Sequence, residues 1–179
     1  MSKQGLVLLL SLGACVADEN GRGGGGVDGG GGVGGCSSSN DTCSGEQVCV
    51  QGACVAAFPR VYRLSNISVT VPTTDPDGAA WDAAGGAPDL LVEVFVNGTS
   101  VGATAAVQDQ FSAAFPGPYG VTLNAAGSSV IVTAYDEDLT VNDPAFSCAA
   151  NPITAAHLRA RELACTVGGN SLSYRLDPQ

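Results

Sequence analysis

The sequence predicts an all-β domain: antiparallel strands stacked as a sandwich, with one short helical insertion. Three observations predict it. Every aromatic residue lies beyond position 57. Short runs rich in Val, Ile, Leu, Thr and Tyr recur there between Gly, Pro, Asp and Asn, and only one stretch has the composition of a helix. The 57 residues before this domain cannot build a core, so the chain divides into a leader (1–14), a tether (15–35), a small cysteine module (36–57) and the sandwich domain (58–179).

Segments 61–70, 90–96, 102–107, 119–123, 129–135 and 171–176 are expected as strands, several alternating, as with Val92, Val94 and Val96 on one face. That number of short strands with frequent turn residues suits two packed sheets. The segment 153–164, ITAAHLRARELA, is expected as a helix, opened by Asn151 and Pro152. It lies between Cys148 and Cys165, which are expected to pair and clip the excursion; closing a loop of that size contributes about 3 kcal/mol in the chain-entropy model.

The first 14 residues hold one basic side chain, Lys3, then an apolar run from Leu6 to Leu12, then small residues before Cys15. The run is far short of the roughly 20 residues that span a bilayer, so it reads as a cleaved export signal. The segment Leu12, Gly13, Ala14, Cys15 resembles the lipobox of bacterial lipoproteins. The resemblance implies that Cys15 becomes the acylated first residue of the mature chain, carrying palmitate-type chains. Each buried methylene of such chains contributes about 0.8 kcal/mol. It also implies an outer-membrane or cell-surface location, since Asp, the inner-membrane retention signal, is absent from the second mature position, which is Val16. Seven cysteines less Cys15 leave an even set for disulfides.

The glycine-dense tract that follows has almost nothing to bury and reads as a flexible spacer, with a mean reach of some 25 Å for roughly 20 residues. Cys36, Cys43, Cys49 and Cys54 then follow as C-x6-C-x5-C-x4-C. Only the last step has zinc-ligand spacing, and in an exported chain two disulfides are the stronger expectation, with three pairings open. The segment CSSSNDTCSGEQVCVQGAC resembles the short EGF-like, cysteine-rich modules that follow tethers in myxobacterial surface proteins. That resemblance implies the crossed pairing of Cys36 with Cys49 and Cys43 with Cys54. So small a module is expected to act as a rigid spacer and to unfold on reduction.

Acidic residues outnumber basic ones by 17 to 7, for a net charge of -10. Nucleic acid is excluded as a partner on that balance. The domain's carboxylates fall in two groups: Asp75, Asp77, Asp82 and Asp89 after the first strand, and Asp136, Glu137, Asp138 and Asp143 after the strand SSVIVTAY. Loops at one end of a sandwich converge, and unpaired carboxylates brought together repel unless a cation lies between them. Oxygen ligands without His or Cys suit Ca2+.

Here the sequence resembles C2 domains. Asp82, the turn AAGGAP and Asp89 before LLVEV match the family's first acidic loop. AYDEDLTVNDPAF, with Asp136, Asp138 and Asp143, matches the third loop, and segment 109–123 the stretch between them. The likeness covers about 61–176. It implies Asp82, Asp89, Asp136, Asp138 and Asp143 as calcium ligands, with backbone carbonyls such as that of Glu137, leaving Asp75 and Asp77 to solubilise the loop. It also implies loop tips at Trp81 and at Leu139 or Val141 that touch phospholipid or protein. The chain departs from the family where DPY is DLL, where I-G is Ala145 and Phe146, and in the Cys148 to Cys165 insertion. The domain has five arginines and no lysine, so a calcium-dependent surface contact or a stiffened scaffold suits its acidity better than a basic lipid-binding face.

No enzyme is expected. His157 is the sole histidine and lies in a polar helical stretch, no G-x-S-x-G element occurs, and the glycine tract lacks the Lys and flanking elements of a phosphate loop. The sequence thus points to a lipid-anchored, calcium-binding C2-like envelope module. The alternative is a metal-free interaction lipoprotein that uses the sandwich as a rigid presenter.

Overall fold

The computed structural model describes residues 13–14, 35–82, 85–117, 119–138 and 142–179. The order is β1 (Gly13–Ala14), β2 (Gln47–Val50), β3 (Ala53–Ala56), β4 (Arg60–Thr70), β5 (Leu90–Val96), β6 (Thr99–Ala103), β7 (Ser112–Phe115), β8 (Tyr119–Leu123), β9 (Val130–Asp136), β10 (Asp143–Ala150), α1 (Ala155–Ala160), β11 (Glu162–Val167) and β12 (Asn170–Pro178). Cys15 and the rest of the leader and tether lie outside the described residues, as do Leu139 and Val141.

Two sheets face each other. One runs β1-β10-β9-β5-β6; the other runs β11-β12-β4-β7, with β8 also on β4. Between them pack Leu90, Val92 and Val94 of β5, Val130 and Val132 of β9 and Phe146 and Cys148 of β10. They meet Tyr62, Leu64, Ile67 and Val69 of β4, Leu123 of β8 and Leu172, Tyr174 and Leu176 of β12. The inward phase of β4 shifts between Leu64 and Ile67. Ser65 pairs with Arg175 and Ser68 with Ser173, so β4 carries one extra residue there, and Asn66, at φ 51°, takes up the bulge. The bulge divides β4 into two stretches on one edge, Leu64 pairing with Tyr119 of β8 and Ile67 with Phe115 of β7.

Three hairpins close on two-residue turns in which both residues have positive φ: Gln51 and Gly52, Asn97 and Gly98, Gly168 and Gly169. These turns match the twist of the flanking strands. In the β5–β6 pair, Val94 faces Gly102 and Phe95 faces Ser100, so Val101 is extruded and stands 41% exposed. Gly102 is required by packing: a Cβ there would lie 2.7 Å from the Tyr119 ring.

Two sequence expectations are corrected. The helix does not fill 153–164 but spans only Ala155–Ala160, because Thr154 caps it and 162–167 becomes β11 against β12. Alternation in ELACTV, with Leu163 and Cys165 buried, outweighs its helix-forming composition. The strand expected at 102–107 is Thr99–Ala103, and Val107 instead forms an isolated bridge with Leu90. Further strands at Ser112–Phe115 and Asp143–Ala150 were not expected.

The cysteines pair as Cys36–Cys49, Cys43–Cys54 and Cys148–Cys165. The module is seated on the sandwich: Val48 is fully buried in the main core, Ala57 N–H donates to Glu46 O, and Tyr62 Oη donates to Ala57 O at 2.9 Å. Arg159 reaches from α1 to the carbonyls of Gly45 and Gln47. The buried Arg161 donates to Cys49 O at 2.6 Å and to Asp177 Oδ1 at 3.2 Å, with Asp41 Oδ2 at 3.8 Å.

Candidate functional site

Three loops meet at the Thr70 end of β4: the segments after β4, after β6 and after β9. Asp136 is the last residue of β9 and continues the inward-facing series Val130, Val132 and Ala134, which is why a carboxylate stands 2% exposed at the mouth of the sandwich. Its Oδ1 accepts from Asp89 N–H at 2.7 Å. Asp89 precedes β5, its own Oδ1 accepts from Asp109 N–H at 2.9 Å, and its carbonyl accepts from Glu137 N–H at 2.9 Å. One chain of hydrogen bonds therefore joins the three loops.

Burial pushes the Asp136 carboxyl up from its ordinary range. The hydrogen bond from Asp89 N–H opposes this, and the charges of Asp82, Asp138 and Asp89 raise it further. Asp143 pairs with Asp136 across β9 and β10. All five carboxylates expected as ligands are thus gathered at this end. Among the described residues, ion pairs form on Arg161 and Arg175 beside Asp177, which pairs with Arg63 toward the other end of β4, about 23 Å along the strand from Thr70.

The site differs from the expectation in three ways. Asp75 and Asp77 face the site, lining with Asp136, Asp143, Trp81 and Pro144 a cleft of about 140 Å3. Asp75 also shapes its own loop, its Oδ1 accepting from Asp77 N–H and Ala79 N–H. Trp81 is not an inserting tip: it is half-buried against the core, and its Nε1 donates to Pro72 O at 2.9 Å. Asp109, which the sequence reading placed only at the start of a matched stretch, joins the site. A Cβ on Gly86 would lie 3.0 Å from Asp82 Oδ2 and 3.7 Å from Asp109 Oδ1, so these two acids flank that glycine. The only available signal was its place in a turn, where it adopts φ 53°.

The donor set, carboxylates around a buried acid that has no ion pair with a cation among the described residues, fits a hard oxygen-seeking ion. The fit is in donor type. Among the described residues, the only three Cys, His, Asp or Glu side chains whose ligand atoms all lie within 4.8 Å of one another are Cys36, Cys43 and Cys54, not the acids. His157 is committed elsewhere: its N–H donates to Thr154 Oγ1 at 3.3 Å and its Nδ1 accepts from Thr154 N–H at 3.2 Å, a capping box with imidazole in place of glutamate.

No protein-family model matches the sequence, and no curated protein does. Solved structures do. The chain is similar to a structure described as a C2 domain, with TM-score 0.53 and 19% identity over 67% of this chain and 98% of that one. It is similar to the two calcium-bound C2 domains of extended synaptotagmin 2, with TM-score 0.52 and 18% identity over 68% of this chain and 46% of that one. A third similarity is to human GIVD cytosolic phospholipase A2 in complex with an inhibitor and terbium chloride, with TM-score 0.52 and 12% identity, covering 68% of this chain and 17% of that one. The shared feature is architecture: this chain folds as a mostly antiparallel C2-like β-sandwich, with one short helix and three disulfides among the described residues.

Proposed function

We propose that this chain is an exported, lipid-anchored envelope protein whose C2-like domain holds Ca2+ at its acidic loops and uses it to contact a surface partner, protein or phospholipid. Asp136 carries the proposal: a buried carboxylate hydrogen-bonded to the loop that bears Asp89, crowded by Asp82, Asp138 and Asp89, with no ion pair to a side-chain cation among the described residues. Asp82, Asp89, Asp136, Asp138 and Asp143 would hold the ion, with the Glu137 carbonyl in reach of the same loops. Ca2+ supplies the positive charge that these loops lack and accepts six to eight oxygens in irregular arrangement. A site of even modest affinity is filled at millimolar extracellular calcium, where it acts as a structural bridge and not a sensor.

Calorimetric titration of the oxidised full chain with calcium, beside the Asp136→Asn/Asp138→Asn double variant, tests this reading. Saturable heat that the variant loses supports it; no heat at millimolar calcium overturns it. A second reading then stands, a metal-free presenter. It is favoured by the hydrogen bonds that already tie the loops together and by the absence of three carboxylates within 4.8 Å of one another among the described residues.

The anchor rests on the sequence LGAC ending at Cys15, which supports a mature chain that begins there, without the β1 residues Gly13 and Ala14, at a bacterial outer membrane or cell surface. Cys15→Ala is expected to abolish acylation and release the chain from membranes, measured by detergent partitioning and mass spectrometry. An acylated Cys15→Ala product refutes it.

A further inference from the structure

The two disulfides of the cysteine module lie side by side. The Sγ atoms of Cys36, Cys43 and Cys54 are all within 4.8 Å of one another, and Cys49 is bonded to Cys36, so four sulfurs occupy one small volume. The disulfides are not all that gathers them. Cys49 and Cys54 face each other in the β2–β3 register across a tight turn. The Asp41 carboxylate accepts from Cys43 N–H at 3.1 Å and from Cys49 N–H at 2.7 Å. Arg161 holds Cys49 O, and Val48 between them is locked in the core of the sandwich.

We propose that, once reduced, Cys36, Cys43, Cys49 and Cys54 form a four-thiolate site for Zn2+, so that the module exchanges two disulfides for one metal ion. In a tetrahedral site with metal–sulfur distances of about 2.3 Å the sulfurs stand about 3.8 Å apart. The bonded pairs must therefore open by about 2 Å. The unbonded contacts of Cys36 with Cys43 and Cys54, already within 4.8 Å, have about an ångström or less to close, and Cys49, which lies outside that group, must swing toward Cys43 and Cys54 as its bond to Cys36 opens. The Cys49 to Cys54 step has the spacing of a zinc hairpin. The filled site carries two net negative charges, and Arg161 is the buried cation beside it.

The chemistry balances with an external dithiol or phosphine. Each disulfide takes up two electrons and two protons as the reductant is oxidised, and Zn2+ then displaces the four thiol protons. Cys54 is exposed, which gives the reductant entry at the Cys43–Cys54 bond, and the thiols released there lie beside the buried Cys36–Cys49 bond; Cys148 and Cys165 are 0% and 2% exposed within the sandwich.

The test uses the full chain carrying Cys15→Ser, reduced anaerobically with a phosphine and titrated with Co2+ as an optical probe. Expected are one Co2+ per chain, thiolate charge-transfer absorption, displacement by one equivalent of Zn2+, and no binding by the oxidised chain. Asp41→Ala, which removes the acceptor for two ligand amides without touching the metal, should weaken binding roughly 10- to 100-fold, and Cys49→Ser by more. The proposal is overturned by any other stoichiometry, by dependence on Cys148 or Cys165, or by Asp41→Ala binding as tightly as the parent.

Discussion

Replacing Asp136 by Asn separates the two roles assigned to that side chain. In the metal-free protein the Asp136 carboxyl has a raised pKa because folding buries it among other acids. A raised acid favours the folded state fully below its unfolded value, about 3.9, and that contribution is lost as pH rises through the folded value. At pH 7 without calcium the ionised carboxylate therefore opposes folding. Asn keeps an Oδ1 acceptor for Asp89 N–H, now at 2.7 Å, and removes the charge. Asp136→Asn should melt at or above the parent at pH 7 in a calcium chelator, with the difference vanishing near pH 3. Calcium should invert the order. A site filled at 100 times its dissociation constant adds about 2.7 kcal/mol, or about 10 °C for a domain of this size, to the parent alone. Scanning calorimetry at both pH values, with and without 1 mM calcium, reads all four cases. A variant that melts well below the parent in chelator at pH 7 would refute the electrostatic argument. A parent indifferent to calcium would refute the metal.

Other outcomes follow from the same geometry. His157 is held below its ordinary pKa by burial, so its contribution to stability is full above about 6.5 and declines as pH falls through the lower folded value; His157→Gln, which preserves a capping box, should flatten the melting temperature between pH 7 and pH 5. Arg161→Met leaves the Asp41 carboxylate, 2% exposed, without its counter-charge and should cost about 3 kcal/mol in chemical denaturation, with faster proteolysis of the cysteine module. Gly102→Ala drives a methyl into the Tyr119 ring and should cost about 1–3 kcal/mol, read by the same denaturation.

Much of the sandwich was legible because its signals are local. Val92, Val94 and Val96 alternate along β5, with Val92 and Val94 wholly buried, and Cys148 pairs with Cys165 across the excursion that holds α1. The strands Ser112–Phe115 and Asp143–Ala150 were not legible. Apart from Phe115 and Phe146 they are built from Ser, Ala, Asp, Pro and Cys, too few strand formers to signal a strand locally, and their pairing is dictated by β4 and β9. The segment 162–167 misled for the same reason: its composition favours helix, and its partner β12 decides. At the site, the acids could be listed from the sequence, but the approach of Asp75 and Asp77 to Asp143 depends on a loop folded back by Asp75 and pinned by Trp81. No spacing rule encodes that.

The two ends of β4 divide the molecule's tasks. Its first residues lie beside the cysteine module, which Arg161 and Tyr62 hold in place, whereas Thr70 opens into the acidic loops. If Cys15 anchors the chain, the attachment enters at the module end, about 30 Å of strand from the acids. A carboxylate-rich end is repelled by anionic headgroups unless calcium neutralises it. Under the proposed anchoring, the acidic loops are therefore expected to face away from the membrane when calcium is absent. With calcium they can turn toward lipid or bind a partner opposite. Calcium-dependent capture of the lipid-free chain by anionic vesicles distinguishes these cases, since a contact made only with protein leaves the chain in the supernatant at every calcium concentration.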